Sequence, residues 1–212
     1  MYQNMKSAFN KVLPYQESEA VRTIVLVGGF ALLTALGALI RIPLPFTSVP
    51  ITLQTFFVLL AGVMLGSKRG TLSQMVYVSA GAAGLPIFAG MMSGLVWLKG
   101  DTGGFLAGFI LAPAVVSSII GESTNRWRLI LALIAGTALI FVLGNLWLWN
   151  LARGGQPDVL ALGAVPWLWN LTRGSLADIL VRGVFPFLPG AVIKIGLVIA
   201  VVEAIKYNRK DK

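Results

Sequence analysis

The sequence predicts an all-α, polytopic membrane protein with six transmembrane helices. Three observations carry that prediction. First, 57% of the 212 residues are hydrophobic, mean hydropathy is +0.83 and only 12% are charged, whereas a soluble domain carries about 25% charged residues. Second, charge-free runs recur, several of them long enough to supply the roughly 20 apolar residues a helix needs to cross a bilayer. Third, the cations lie between those runs, as in membrane proteins. The net charge of +9 therefore reads as a topological signal and not as a nucleic-acid surface.

Residues 1–20 are polar and read as a cytoplasmic segment, either an amphipathic helix on the lipid surface or unstructured chain. They lack the apolar stretch and small-residue cleavage site of a signal peptide. A single membrane domain then spans residues 21–207. Its first span is Ile24 to Ile40, closed by Arg41. The second run, Ile42 to Ser67, opens with Pro43, Pro45 and Pro50. Its helix therefore begins near Thr52, because proline cannot continue a helix interior. The third run, Gly70 to Leu98, breaks at Gly84-Leu85-Pro86, giving a helix from Thr71 to Ala83 and then an irregular loop. Thr102 to Gly121 is the fourth span and Leu129 to Ala152 the fifth. The sixth, from Ala191 to Ile205, holds one charge, Lys194, and residues 208–212 form a cytoplasmic tail.

Six spans place both termini on one side. That side collects 11 Lys and Arg residues against 5 on the other, which assigns both termini to the cytoplasm. Helices two and three are short. Short, Gly/Pro-interrupted segments either line a cavity or sit in a locally thinned bilayer.

Residues 147–166 and 167–186 form a tandem repeat, identical at 11 of 20 positions. Two copies are too few for a solenoid, so the simpler account is a duplication within the outer loop between helices five and six. It is either a neutral extension of that loop or a longer lid over an outward-facing site.

Candidate chemistry is sparse. The chain has no His and no Cys, which removes disulfides, zinc and iron–sulfur sites, thiol nucleophiles and histidine acid–base catalysis. No paired-carboxylate or Ser-base arrangement stands out, so no catalytic residue, metal site or cofactor is expected. Thr102-Gly103-Gly104 lacks the Lys-[Ser/Thr] of a phosphate loop. Asp101, Asp158 and Asp178 fall in outer loops. Lys194 is the most informative residue. An intramembrane charge costs about 2.5–3.5 kcal/mol and by default marks function. It lies about one turn below Pro189-Gly190, so it either contacts a ligand or snorkels outward. Ala31 and Ala35 share one face of helix one at a spacing that permits close helix approach, either within the chain or against another membrane protein.

Several segments together resemble one family, BioY, the substrate-binding (S) component of energy-coupling factor (ECF) biotin transporters. They are Val49-Pro-Ile-Thr-Leu-Gln-Thr-Phe56, Leu60-Ala-Gly-Val-Met-Leu-Gly66, Gly84-Leu-Pro-Ile-Phe-Ala-Gly90, Gly100-Asp-Thr-Gly-Gly-Phe105 and Pro186-Phe-Leu-Pro-Gly190 followed by Lys194. The resemblance implies a six-helix fold and an outward-facing biotin pocket under loops one, three and five. It implies ligand contacts at Lys194, Met92, Ser93, Gly104 and Phe105, with Trp97, Thr52 and Gln54 as pocket walls. It also implies partners: a transmembrane coupling (T) component docking on Ala31 and Ala35, and two cytoplasmic ATPases. The setting is a cell inner membrane, with lipid and no nucleic acid. Biotin is then the transported ligand and not a cofactor.

Two departures bear on the ligand. The family usually has Asp where Ala191 stands, which removes a partner for Lys194 and an acceptor for ureido N–H groups. It usually has Pro and Tyr where Asp101 and Phe105 stand, so Asp101 is expected to replace the missing carboxylate in part, by reaching Lys194 or the ligand. The leading expectation is a biotin-binding uptake subunit. The alternatives are an S component for another vitamin or a biotin analogue, a membrane enzyme, and a structural subunit.

Overall fold

A computed structural model of the protein describes residues 18–44, 47–123, 125–153 and 184–207. The polar N-terminal segment 1–17, most of the duplicated unit (154–183, with Asp158 and Asp178) and the tail 208–212 lie outside the described residues.

Helix α1 (Glu19–Leu39) starts at Ser18, whose hydroxyl accepts from Val21 N, with Glu19 in the first turn; both features stabilise a helix N-terminus. It begins several residues before Ile24, because the capping residue and not the first apolar residue sets the start. A two-stranded antiparallel hairpin follows, β1 (Arg41–Leu44) and β2 (Thr47–Thr52), pairing Arg41 with Thr52 and Ile42 with Ile51. The sequence reading made this segment an irregular loop. The strands tolerate their prolines because a lone hairpin is all edge, and the register slips between Ile42 and Leu44, at Pro43.

Helix α2 (Gln54–Ala82) is two short helices joined without a loop. Gly66 stands at φ 80°, ψ −175°, a region essentially closed to residues with a Cβ. The arms cover residues 54–65 and 67–82, so the third helix begins right after the glycine and not at Thr71. Lys68 and Arg69 follow this elbow, and Arg69 pairs with Glu19 at the start of α1. Gly66→Ala is expected to destabilise the protein by about 1–3 kcal/mol. The measurement is the thermal midpoint in detergent; an unchanged midpoint would show that the elbow does not need glycine.

After α2 the chain forms a tight turn bridged between Phe88 and Met92, then a short helix, α3 (Leu95–Lys99). Helices α4 (Gly103–Ile120) and α5 (Arg126–Arg153) follow. A 3-10 turn at Phe185–Phe187 leads into α6 (Leu188–Tyr207). α6 starts before Ala191 because Pro189 in the first turn sacrifices no helical hydrogen bond. Among the described residues, α1, α4, α5 and the segment Phe185–Tyr207 are long and apolar enough to cross a membrane. The two arms of α2 are too short to be counted singly.

α4 packs on α5 and α2, α1 packs on α2, and α6 packs more lightly against α2 and α5. Two apolar clusters divide the bundle lengthwise. One joins Leu26 and Phe30 of α1, Leu59 to Leu65 of α2, Ile120 of α4, Leu129 and Leu133 of α5, and Val198 and Val202 of α6. It fills the end nearest the start of α1. The other joins Val49, Val58, Tyr77, Phe88, Phe105, Phe109, Ile140 and Phe187 at the opposite end, where it surrounds a cavity.

Candidate functional site

Side chains from β2, both arms of α2, the loop after it, α3, α4, α5, the 3-10 turn and α6 converge on one cavity of about 830 Å³, measured to its open mouth. Most of the wall is apolar and aromatic. Phe105 and Phe109 come from α4, Ile140 and Phe141 from α5, and Phe187 from the 3-10 turn, with Phe141 and Phe187 tilted against each other at 6.0 Å.

A few polar groups interrupt this wall. Lys194 of α6 reaches across to α2, where its Nζ donates to Thr55 Oγ1 at 2.8 Å. The side chain is thus turned into the cavity and does not snorkel. Among the described residues no carboxylate lies within 4.0 Å of it. A second polar group is a relay: Thr52 Oγ1 donates to Gln54 Oε1 at 3.0 Å, Gln54 Nε2 donates to the Tyr77 hydroxyl, and that hydroxyl donates to the Ile87 carbonyl at 3.1 Å. Tyr77 is 1% exposed, with its ring edge-on to Phe88 at 5.7 Å. Thr137 supplies a further hydroxyl to the lining, donating to Leu133 O.

Of the residues singled out in the sequence, Lys194, Trp97, Phe105, Thr52 and Gln54 line this cavity. Met92, Ser93, Asp101 and Gly104 are not among its lining residues. Met92 closes the bridge to Phe88 and is 40% exposed, and Ser93 is half-buried beside it. Asp101 is half-buried next to Thr102, which does line the cavity, while Lys194 meets Thr55 instead of Asp101. Gly104 has a packing reason. A Cβ there would run into the Leu143 carbonyl and Trp147 of α5, so glycine lets α4 and α5 touch at their outer ends. The same Trp147, the first residue of the repeat, donates its Nε1–H to Gly100 O at 2.9 Å, and Thr102 Oγ1 donates to Trp97 O at 3.2 Å. These bonds hold α3, and with it Trp97, over the cavity. Ala31 is buried and Ala35 half-buried against the cavity-end cluster.

Sequence reading missed Thr55, Tyr77, Phe88 and Thr137. Thr55 and Phe88 carried a usable signal, since they sit in the segments Val49 to Phe56 and Gly84 to Gly90 that carry the resemblance.

Comparison with known proteins agrees with this architecture. The chain matches the BioY family over residues 5–211. It is 39% identical over 142 residues to a probable biotin transporter BioY of Lysinibacillus sphaericus, covering 62% of this chain and 71% of that one. It is 40% identical over 147 residues to the biotin transporter BioY of Thermotoga maritima, covering 69% of this chain and 85% of that one. The crystal structure of the S-component for biotin from an ECF-type ABC transporter superposes with a TM-score of 0.69 at 26% identity, covering 89% of this chain and 93% of that one. With a family match over nearly its whole length and a shared helical architecture, this chain is a membrane protein of the BioY family.

Proposed function

We propose that this chain is the substrate-binding component of an ECF-type biotin transporter and that biotin occupies the cavity beneath Trp97 and Phe187. The observation that carries the reading is the pairing of an inward-turned cation, Lys194, with an aromatic, largely apolar cavity. A fused bicyclic ring with an aliphatic tail fits the aromatic wall. Its ureido and carboxylate groups need the few polar residues. The named relatives support the choice of ligand. On this reading the cavity opens outward and both termini are cytoplasmic. Uptake runs through a transmembrane coupling component, with two ATPases supplying energy. The coupling component docks on the α1 side near Ala35, with Ala31 behind it as a small packing residue. The ligand shell extends past the cavity lining to Met92, Ser93 and Asp101 in the loops at its mouth.

The test is calorimetry of biotin with the purified, detergent-solubilised chain. Saturable binding to one site per chain is the expected result. Absence of binding by a folded protein would overturn the assignment. Ala191, an apolar lining residue one helical turn before Lys194, favours a second reading in which the ligand is a biotin analogue with fewer N–H groups to satisfy. Competition between biotin and desthiobiotin leaves the two ureido N–H groups unchanged and so reports on ring fit, while a wider vitamin series addresses the second reading.

A further inference from the structure

We infer that Tyr77 is a positioning residue that fixes which way the Gln54 amide points, and that the fixed amide makes the cavity select the carbonyl of a cyclic urea. The inference rests on the biotin reading above and assigns a cause to its selectivity.

The relay has a direction that its chemistry imposes. The Ile87 carbonyl can only accept, so the Tyr77 hydroxyl proton is committed to it. The Tyr77 oxygen is then left as an acceptor, and the group facing it must donate. An amide offers N–H donors at one end and a carbonyl acceptor at the other. Gln54 therefore turns Nε2 to Tyr77, and its Oε1 falls beside the Thr52 hydroxyl. Thr52 is indifferent, because a hydroxyl donates or accepts by rotating. Tyr77 is not. A flipped amide would set two acceptor oxygens against each other with no proton between them.

The fixing groups are themselves held. Tyr77 and Gln54 are 1% and 4% exposed, and Phe88, packed edge-on to the Tyr77 ring, is 3% exposed. The turn that supplies the Ile87 carbonyl is closed by the Phe88 N to Met92 O hydrogen bond at 3.0 Å. After the relay is satisfied, the Gln54 amide still has one N–H and one carbonyl lone pair, and it lines the cavity. A urea edge carries the matching pair, a carbonyl that accepts and an N–H that donates. An analogue with a donor in place of the urea oxygen meets an N–H that cannot turn away. A site built to hydrogen-bond one group discriminates strongly against a ligand that leaves it unpaired.

The experiment compares biotin with 2-iminobiotin, whose cyclic guanidine is protonated at neutral pH and so presents N–H donors and a positive charge where biotin presents the urea oxygen, on the full chain in detergent. The readout is the ratio of their dissociation constants, with the thermal midpoint as a fold check. Tyr77→Phe keeps the ring but frees the amide to rotate, and the preference for biotin is expected to shrink by about tenfold or more. Gln54→Glu replaces the donor end with an acceptor, and is expected to move the ratio the same way by about tenfold or more. A general loss of packing weakens both ligands and leaves the ratio unmoved. A wild-type protein that binds biotin, with a ratio unchanged in Tyr77→Phe or in Gln54→Glu, overturns the inference alone. A folded wild type that binds no biotin overturns the functional reading and this inference with it.

Discussion

Lys194→Met is expected to weaken biotin binding about 10- to 100-fold while leaving the thermal midpoint of the unliganded protein unchanged or raised. Both halves of that expectation follow from where the ammonium sits. Its Nζ is held by a single hydroxyl, Thr55 Oγ1 at 2.8 Å, in the wall of a mostly apolar cavity. Burying a cation costs free energy, and one neutral acceptor offsets little of that cost. Methionine fills nearly the same volume with an apolar chain and removes the cost, so the empty protein gains or stays level. The ligand loses a charge-assisted hydrogen bond of about 1.5–3 kcal/mol, which is the stated factor at about 1.4 kcal/mol per tenfold. A lysine that only anchored α6 at the membrane surface would give the opposite pattern: a lower midpoint with affinity intact. The pair of readings, calorimetric affinity and unliganded midpoint, separates the two.

Lys194 was legible in the sequence because an ionisable residue among apolar neighbours has few bland explanations. Thr52 and Gln54 were legible only through the family resemblance of the segment Val49 to Phe56. The rest of the wall was not. Phe105 and Phe109 face the cavity, whereas Leu111 on the same helix is 49% exposed on the surface left to lipid. Lipid tails and an apolar cavity ask for the same side chains, so periodicity along a membrane helix does not separate inside from outside as it does in a soluble protein. Tyr77 carries no local signal; only the fold brings Gln54 and Ile87 to its hydroxyl. Asp101 and Gly104 drew attention through the resemblance, as a replacement carboxylate and as a ligand contact. Asp101 lies outside the lining, and Gly104 is explained by the contact of α4 with α5. The elbow at Gly66 was half legible. The basic pair after it marked a membrane surface, but nothing local announced that one glycine would do the work of a loop.

Ala191→Asp is expected to tighten biotin binding about tenfold. Ala191 is 8% exposed, lines the cavity and precedes Lys194 by one helical turn, so the two positions share a face. A carboxylate there does two things. It pairs with an ammonium that has no carboxylate partner among the described residues, and it offers an anionic acceptor to a ureido N–H. Each charge-assisted contact contributes about 1.5–3 kcal/mol, less the cost of desolvating the new carboxylate. The double variant Ala191→Asp with Lys194→Met tests the pairing. It leaves a buried carboxylate without its cation, and its loss of stability should exceed the sum of the single effects by about 2–4 kcal/mol. The sign of the single variant also assigns Lys194. If the ammonium serves the ureido end, an added neighbour that accepts from the same ring strengthens binding. If binding weakens instead, the new carboxylate is competing with the ligand's own, and Lys194 is the anchor for the acid at the end of the aliphatic tail.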